Sequence, residues 1–224
     1  MKSDQHPYCY PGTDVLRNKL DIRDRDDLDR FERLEGRNRA ETLRRDLPIS
    51  VEGFRAIHRH IFENIYDWAG EYRFVATGRT GPFCRPEFIA PEMEKRFSAI
   101  HAENDLRGLA FEDFAARAAE HVNELNAIHP FLDGNGRTTR AFLEILAERA
   151  GYDCQIVRIT PDAWNDASAR GFHRQDHKPM QGVIAGALVA REGARETATR
   201  GQGPKTASDY LRERERGRDP KRDR

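Results

Sequence analysis

The chain has 224 residues, enough for one domain with a sizeable core, and its 38 basic and 38 acidic residues cancel to a formal net charge of zero. That balance gives no broad electrostatic footprint for nucleic acid, and with 38% hydrophobic and 34% charged residues no stretch approaches the apolar length of a membrane span. Cys9, Cys84 and Cys154 stand in no paired spacing, which argues against a disulfide framework or a zinc site and reads as free thiols.

Residues 1 to 30 are polar and charged and lack the apolar core of a secretory signal, which predicts a cytoplasmic protein, with export by a non-classical system left open. Helical spacing of apolar residues predicts a first helix over Asp26 to Leu43. It predicts a second over Val51 to Trp68, where Phe54, Ile57, His58, Ile61, Ile65 and Trp68 step by three and four. His58, His60, His101 and His121 read as capping or core residues, and Tyr66 and Trp68 as core. From Glu71 the pattern turns extended through Tyr72, Phe74 and Val75, and Gly78, Gly81 and Pro82 are turn signals before Phe83, so a short β-hairpin is expected.

Further helices are predicted over Pro91 to Asn104 and Phe111 to Ile128, the second with a continuous apolar stripe of Phe111, Phe114, Ala115, Ala118, Val122 and Leu125. Another runs over Ala141 to Ala150 and closes at Gly151. Cys154 to Ile159 reads as extended, Pro161 to Arg170 starts a helix at a proline, and Val183 to Val189 reads as a last apolar helix. The expected fold is mainly α, with one hairpin. Composition breaks near Ala190, dividing a domain of residues 1–190 from an Arg-, Gly-, Asp- and Glu-rich arm, 191–224, that reads as a disordered, solvated tail.

Between the two helices that end at Ile128 and begin near Ala141 lies a dense run, His129 to Arg140, reading His-Pro-Phe-Leu-Asp-Gly-Asn-Gly-Arg-Thr-Thr-Arg. His129 has the titration range of a general base for an incoming hydroxyl. Asp133 offers a hard oxygen to Mg²⁺, which is commonly held by one carboxylate plus substrate phosphates. Gly134 and Gly136 let backbone N–H groups approach an anion, Asn135 between them is a further amide donor, and Arg137 and Arg140 share a helix face from which guanidiniums reach phosphate oxygens. Taken singly, each part has a bland reading as a turn, a cap or a surface arginine; together they describe a phosphate site at a helix N-terminus. Neither the P-loop nor the dinucleotide glycine fingerprint occurs in the chain.

This run resembles the signature of the Fic family, His-x-Phe-x-Asp/Glu-Gly-Asn-Gly-Arg-x-x-Arg, at every fixed position. The likeness extends to the Tyr-Pro-Gly-Thr stretch within Tyr8 to Asn18, to Ile65 through Glu71, to Pro82-Phe83-Cys84 and to Ala163-Trp164-Asn165, spanning about Tyr8 to Leu188. It implies a Fic-type helical domain and a protein adenylyltransferase that moves AMP from ATP to a Tyr, Thr or Ser hydroxyl and releases pyrophosphate. By position, the resemblance makes His129 the base and Asp133 the Mg²⁺ ligand. Gly134, Asn135 and Gly136 become the anion hole, Arg137 and Arg140 the clamp on the distal phosphates, and Phe131 the anchor of the loop. It makes Thr77, Gly78, Arg79, Thr80, Gly81, Pro82 and Phe83 a flap that registers the target through its backbone.

Fic enzymes carry an inhibitory helix with Ser/Thr-x-x-x-Glu-Gly/Asn, and no such pattern occurs in this chain. Four residues before each Glu-Gly or Glu-Asn pair stands Phe31, Pro48, Arg59, Ala99 or Leu188. The expected partner is therefore a separate small antitoxin that supplies the helix, and the expected targets are DNA gyrase or topoisomerase IV. Three alternatives stand beside this reading: a secreted effector acting on host small GTPases, a Doc-like phosphotransferase, whose relatives carry Lys in place of Gly136, and a noncatalytic binding module.

Overall fold

The structure is a computed structural model, and it describes residues 6–77 and 83–190. Seven helices form among these residues: α1 (Arg25–Glu41), α2 (Val51–Phe62), α3 (Pro86–Ala102), α4 (Phe111–Ile128), α5 (Asn135–Ala150), α6 (Pro161–Arg174) and α7 (Lys178–Ala187). Two short strands, β1 (Tyr152–Cys154) and β2 (Leu188–Ala190), pair antiparallel with Asp153 opposite Val189. The fold is the mainly helical one expected. No helix of the described residues is long and apolar enough to cross a membrane.

Local chemistry explains where these helices start. Asp24 caps α1 by accepting from the Asp27 N–H at 3.0 Å, and Ser50 caps α2 by accepting from Gly53 at 3.1 Å. Thr160 does the same for α6, accepting from the Ala163 N–H ahead of a proline at the first helical position. α4 runs from Phe111 to Ile128 as predicted, because its apolar stripe is uninterrupted and it lies at the centre, packed against α3, α5, α6 and α7.

Four expectations shift. α2 ends at Phe62 rather than Trp68, because the Phe62 carbonyl takes the N–H groups of both Ile65 and Tyr66 and turns the chain; Tyr66 and Trp68 then stack with ring centroids 4.3 Å apart. α3 starts at Pro86, ahead of the predicted Pro91. Its buried stripe of Ile89, Met93, Phe97 and Ile100 runs through Pro91, which sits on the solvent side, so burial outweighs the hydrogen bond that proline removes. The stretch predicted extended over Cys154 to Ile159 is instead a strand end followed by a 3-10 turn at Ile156–Arg158, and the last predicted helix ends at Ala187, where β2 begins.

The described strand pair is thus not the predicted hairpin. Along Glu71 to Phe83 the stems bond elsewhere: the Arg73 N–H donates to Pro130 O at 3.0 Å and the Cys84 N–H to Ala127 O at 3.2 Å. The Phe83 N–H closes the base onto Thr77 O at 3.3 Å. Gly78, Arg79, Thr80, Gly81 and Pro82, and the arm 191–224, lie outside the described residues.

The core is aromatic where α2, α3 and α5 meet. Phe54 contacts Phe97, Phe131 and Phe142 with ring centroids between 5.5 and 5.9 Å apart, all four rings being buried. His58, one turn further along α2, is also fully buried. It accepts from the Gly70 N–H on Nδ1 at 2.8 Å and donates from Nε2 to the Asp133 carbonyl at 3.0 Å, which defines the neutral Nε2–H tautomer. Burial pulls its pKa down to about 4.

A folded-state value below the unfolded one means that His58 stabilises the fold above pH 6.5 and that this contribution fades as pH falls toward 4. The loss is on the order of 3 kcal/mol. Melting temperature should therefore drop between pH 7 and pH 4.5, and His58→Gln, though less stable at pH 7, should show a shallower drop. An unchanged slope in the variant would exclude His58 as a source of acid sensitivity.

Candidate active site

α4 cannot run past His129, because Pro130 disfavours the right-handed conformation in the residue before it. His129 instead adopts left-handed geometry (φ 50°, ψ 60°) as the C-cap, its N–H donating to Leu125 O at 3.0 Å. For a residue with a side chain this costs about 1–2 kcal/mol, and the surroundings hold it there. The Arg73 guanidinium donates from Nε to His129 O at 2.8 Å. The imidazole lies flat on Phe83, centroids 3.8 Å apart and planes 5° apart, and Phe172 meets Phe83 edge-on.

Burial pushes the His129 pKa down to about 4; the Asn126 carbonyl opposes this in part, Arg73 adds to it and Asp133 counters it. The ring is neutral at pH 7, the form that accepts a proton. Its Nδ1 and the Thr77 hydroxyl are buried with no hydrogen-bond partner among the described residues.

The loop after His129 is anchored from below. Phe131 is fully buried and stacks on His58 at 3.8 Å as well as on Phe54. Asn135 closes the loop on itself: its Oδ1 accepts from the Phe131 N–H at 2.9 Å and its Nδ2 donates to Phe131 O at 2.8 Å. These two bonds fix the orientation of the amide within the loop.

The two glycines differ. Gly134 is left-handed (φ 78°) and caps α5, and a Cβ there would stand 2.3 Å from the Phe62 ring. Gly136 is an ordinary helical residue whose added Cβ would meet nothing nearer than 3.6 Å. The positive-φ argument therefore holds at Gly134 alone, and the bare backbone of Gly136 leaves room above the helix start. The opening N–H groups of α5, at Asn135, Gly136 and Arg137, have no carbonyl one turn back and form an anion-attracting end.

The two arginines also separate. Arg137 is engaged by two carboxylates, Nη2 lying 2.8 Å from Glu32 Oε2 and 3.1 Å from Asp133 Oδ2, with its guanidinium over the Phe62 ring at 4.4 Å. Glu32 is buried on α1 and also accepts from the Tyr66 hydroxyl. Burial and the Asp133 charge push the Glu32 carboxyl up, and Arg137 and Tyr66 oppose that. Arg140 makes no ion pair among the described residues and lies over the Trp164 ring at 5.4 Å. Burial lowers its pKa, though a guanidinium stays charged.

Among the described residues no three His, Cys, Asp or Glu side chains gather to hold a metal. Asp133 is half exposed and shares Oδ2 with Arg137, a donor set too small for a protein-only cage. It suits Mg²⁺, which takes one carboxylate and draws its remaining ligands from phosphates and water. A cleft of about 1390 Å³ opens beside it, walled by Leu132, the stem residues Val75 and Thr77, Cys9 and Val15 of the N-terminal segment, and Leu28 of α1.

Arg73, Glu32 and His58 were not read from the sequence as site residues. Glu32 had a signal, since it stands between Leu28 and Gly36 at a spacing of four, in the buried stripe of α1.

A neutral imidazole, a helix N-terminus and an arginine with no ion pair among the described residues thus lie within twelve residues. The Fic/DOC family model matches residues 48–147. "Probable protein adenylyltransferase y4lH" of Sinorhizobium fredii is 41% identical over 170 residues, 75% of this chain and 88% of the relative. "Probable protein adenylyltransferase Fic" of Escherichia coli K12 is 38% identical over 170 residues, 74% of this chain and 84% of the relative. The Fic domain of a VirB-translocated Bep effector from Bartonella quintana, solved with ADP, superposes with a TM-score of 0.81 at 27% identity, covering 86% of this chain and 99% of that one. This chain belongs to the Fic/DOC family, and it is a protein adenylyltransferase.

Gly134→Ala should lower stability by about 2–4 kcal/mol, combining left-handed strain with overpacking on Phe62. Gly136→Ala should leave stability equal or slightly raised, because the helical position has room for a methyl group. Thermal melts of the two variants decide this; equal losses would remove the distinction drawn between them.

Proposed function

We propose that this enzyme transfers AMP from ATP to a target hydroxyl with His129 as the general base. The observation that carries the reading is His129 itself: a neutral, half-buried imidazole held one short loop ahead of the open N-terminus of α5. His129 takes the proton of the incoming hydroxyl as its oxygen attacks the α-phosphorus, the bond to the β-phosphate oxygen breaks, and pyrophosphate leaves. The N–H groups of Asn135, Gly136 and Arg137 receive the negative phosphate oxygens, and the unpaired Arg140 takes the distal phosphates. Asp133 would hold Mg²⁺, which supplies charge neutralisation on the polyphosphate when bound. Arg137, whose Nη2 is tied to Glu32 and Asp133, orders the Asp133 carboxylate.

The residues Thr77 to Phe83 serve as the flap for an extended target segment, their ends drawn together by the Phe83–Thr77 hydrogen bond. The chain carries no Ser/Thr-x-x-x-Glu-Gly/Asn sequence, and Arg140 lacks an ion-pair partner among the described residues. Both support a cytoplasmic toxin restrained by a separate antitoxin whose glutamate would occupy Arg140, with DNA gyrase or topoisomerase IV as target. A second reading, a secreted effector acting on host small GTPases, is favoured by a different observation. The solved relatives include translocated Bartonella effectors, among them BepC from Bartonella tribocorum with bound AMPPNP, at a TM-score of 0.79 and 25% identity over 84% of this chain and 99% of that one.

Incubation with gyrase and topoisomerase IV subunits, and separately with small GTPases, should place label from α-labelled ATP on one set and none from γ-labelled ATP. Label from the γ position alone would instead identify a Doc-like phosphotransferase. His129→Ala should cut transfer by at least about 100-fold with ATP affinity retained, and transfer at the parental rate would refute the base assignment. Because the free-enzyme imidazole titrates near pH 4, kcat/KM should hold from pH 8 to about pH 5 and fall below it; a limb near pH 6.5 would show that the ring is solvated in solution.

A further inference from the structure

Arg73 is buried, yet among the described residues no carboxylate pairs with it. Backbone carbonyls meet its charge instead. Nε donates to His129 O at 2.8 Å, Nη1 to Val75 O at 2.8 Å, and Nη2 to Cys84 O at 2.6 Å and Ile128 O at 3.3 Å. Its own N–H donates to Pro130 O at 3.0 Å. These acceptors come from two places. Ile128 and His129 end α4, where carbonyls lack helical partners and the dipole favours a cation. Val75 and Cys84 belong to the two stems that flank residues 78–82.

We propose that Arg73 is a positioning residue for the transfer reaction, cross-linking both flap stems to the end of α4 and so fixing the left-handed turn that aims His129. The proposal rests on the reading of His129 as base. The geometry needs a planar fork: four carbonyls approach from different directions around one guanidinium, and the three donors of a lysine ammonium radiate from a single atom that cannot reach them all. The His129 carbonyl is the direct link, because holding it restricts ψ of the residue that carries the imidazole. Phe83, one residue before Cys84, stacks on that imidazole, so the same tether also sets the ring's stacking partner. Arg73 touches neither phosphate nor hydroxyl in this scheme and acts through His129.

The test compares Arg73→Lys, Arg73→Met and His129→Ala, using the acceptor that takes α-label from the parent enzyme. Arg73→Lys should lower kcat by about 10- to 100-fold, the cost of a misplaced catalytic group, with KM for ATP and the dissociation constant for ATP within about twofold of the parent. The charged groups that act on the imidazole are Arg73 and Asp133. Arg73→Met, which removes the nearby positive charge, should therefore move the acidic limb of kcat/KM to higher pH, while Arg73→Lys leaves it in place.

Parental kcat in Arg73→Lys would overturn the proposal. So would a parallel loss of kcat, ATP affinity and melting temperature, or failure of both Arg73 variants to fold, since each would make Arg73 a core support only. Transfer that survives His129→Ala would instead sink the base assignment, whatever the Arg73 variants do.

Discussion

The site depends on one buried ring. Phe131, two residues after His129, is packed between Phe54 and His58 of α2, so the connection from α4 to α5 is pinned to the core at its midpoint rather than draped over the surface. From that pin the geometry follows in both directions. Backward, the chain rises through Pro130 to a left-handed His129; forward, it turns through Leu132 and Asp133 to Gly134 and the first N–H groups of α5. Asn135 ties the two ends of the loop with a pair of hydrogen bonds to Phe131, and His58 holds the Asp133 carbonyl. A loop built this way carries little conformational freedom of its own, as a preorganised site requires.

Electrostatics divides the labour between two arginines that look equivalent in the motif. Arg137 is neutralised within the protein by Glu32 and Asp133, whereas Arg140 is desolvated without a counter-ion among the described residues. A partly buried cation without a carboxylate is held at a cost until an anion arrives, which makes Arg140 the stronger attractor for an added negative group. Arg73 is the contrasting case, a buried cation whose charge is met by carbonyl dipoles and which therefore has no need of a ligand.

Much of this was legible in the sequence, for definite reasons. The amphipathic helices announced themselves because one face of each is buried against a neighbour, most plainly in α4. The motif from His129 to Arg140 placed the base, the glycines and the helix start in one stretch. What escaped was long-range. Whether a buried guanidinium on an extended segment serves a helix end elsewhere in the chain depends on tertiary placement, and nothing local to Tyr72-Arg73-Phe74 records it. Glu32 likewise read as one acid in a charged helix, although its place on the Leu28 and Gly36 face carried the clue. Among the described residues the stems around residues 78–82 give N–H groups to Ala127 and Pro130, and the described strands form where α5 and α7 end, a tertiary placement that local alternation does not record.

The account stands most directly on where a triphosphate lies relative to His129. A crystal structure with Mg²⁺ and a non-hydrolysable ATP analogue is the measurement. Phosphate oxygens on the N–H groups of Asn135, Gly136 and Arg137, with Arg140 on the distal phosphates and the His129 imidazole facing the α-phosphorus across the space for an incoming hydroxyl, is the expected result. Phosphates bound away from the start of α5, or an imidazole turned from them with Arg73 and Phe83 still in place, would contradict it.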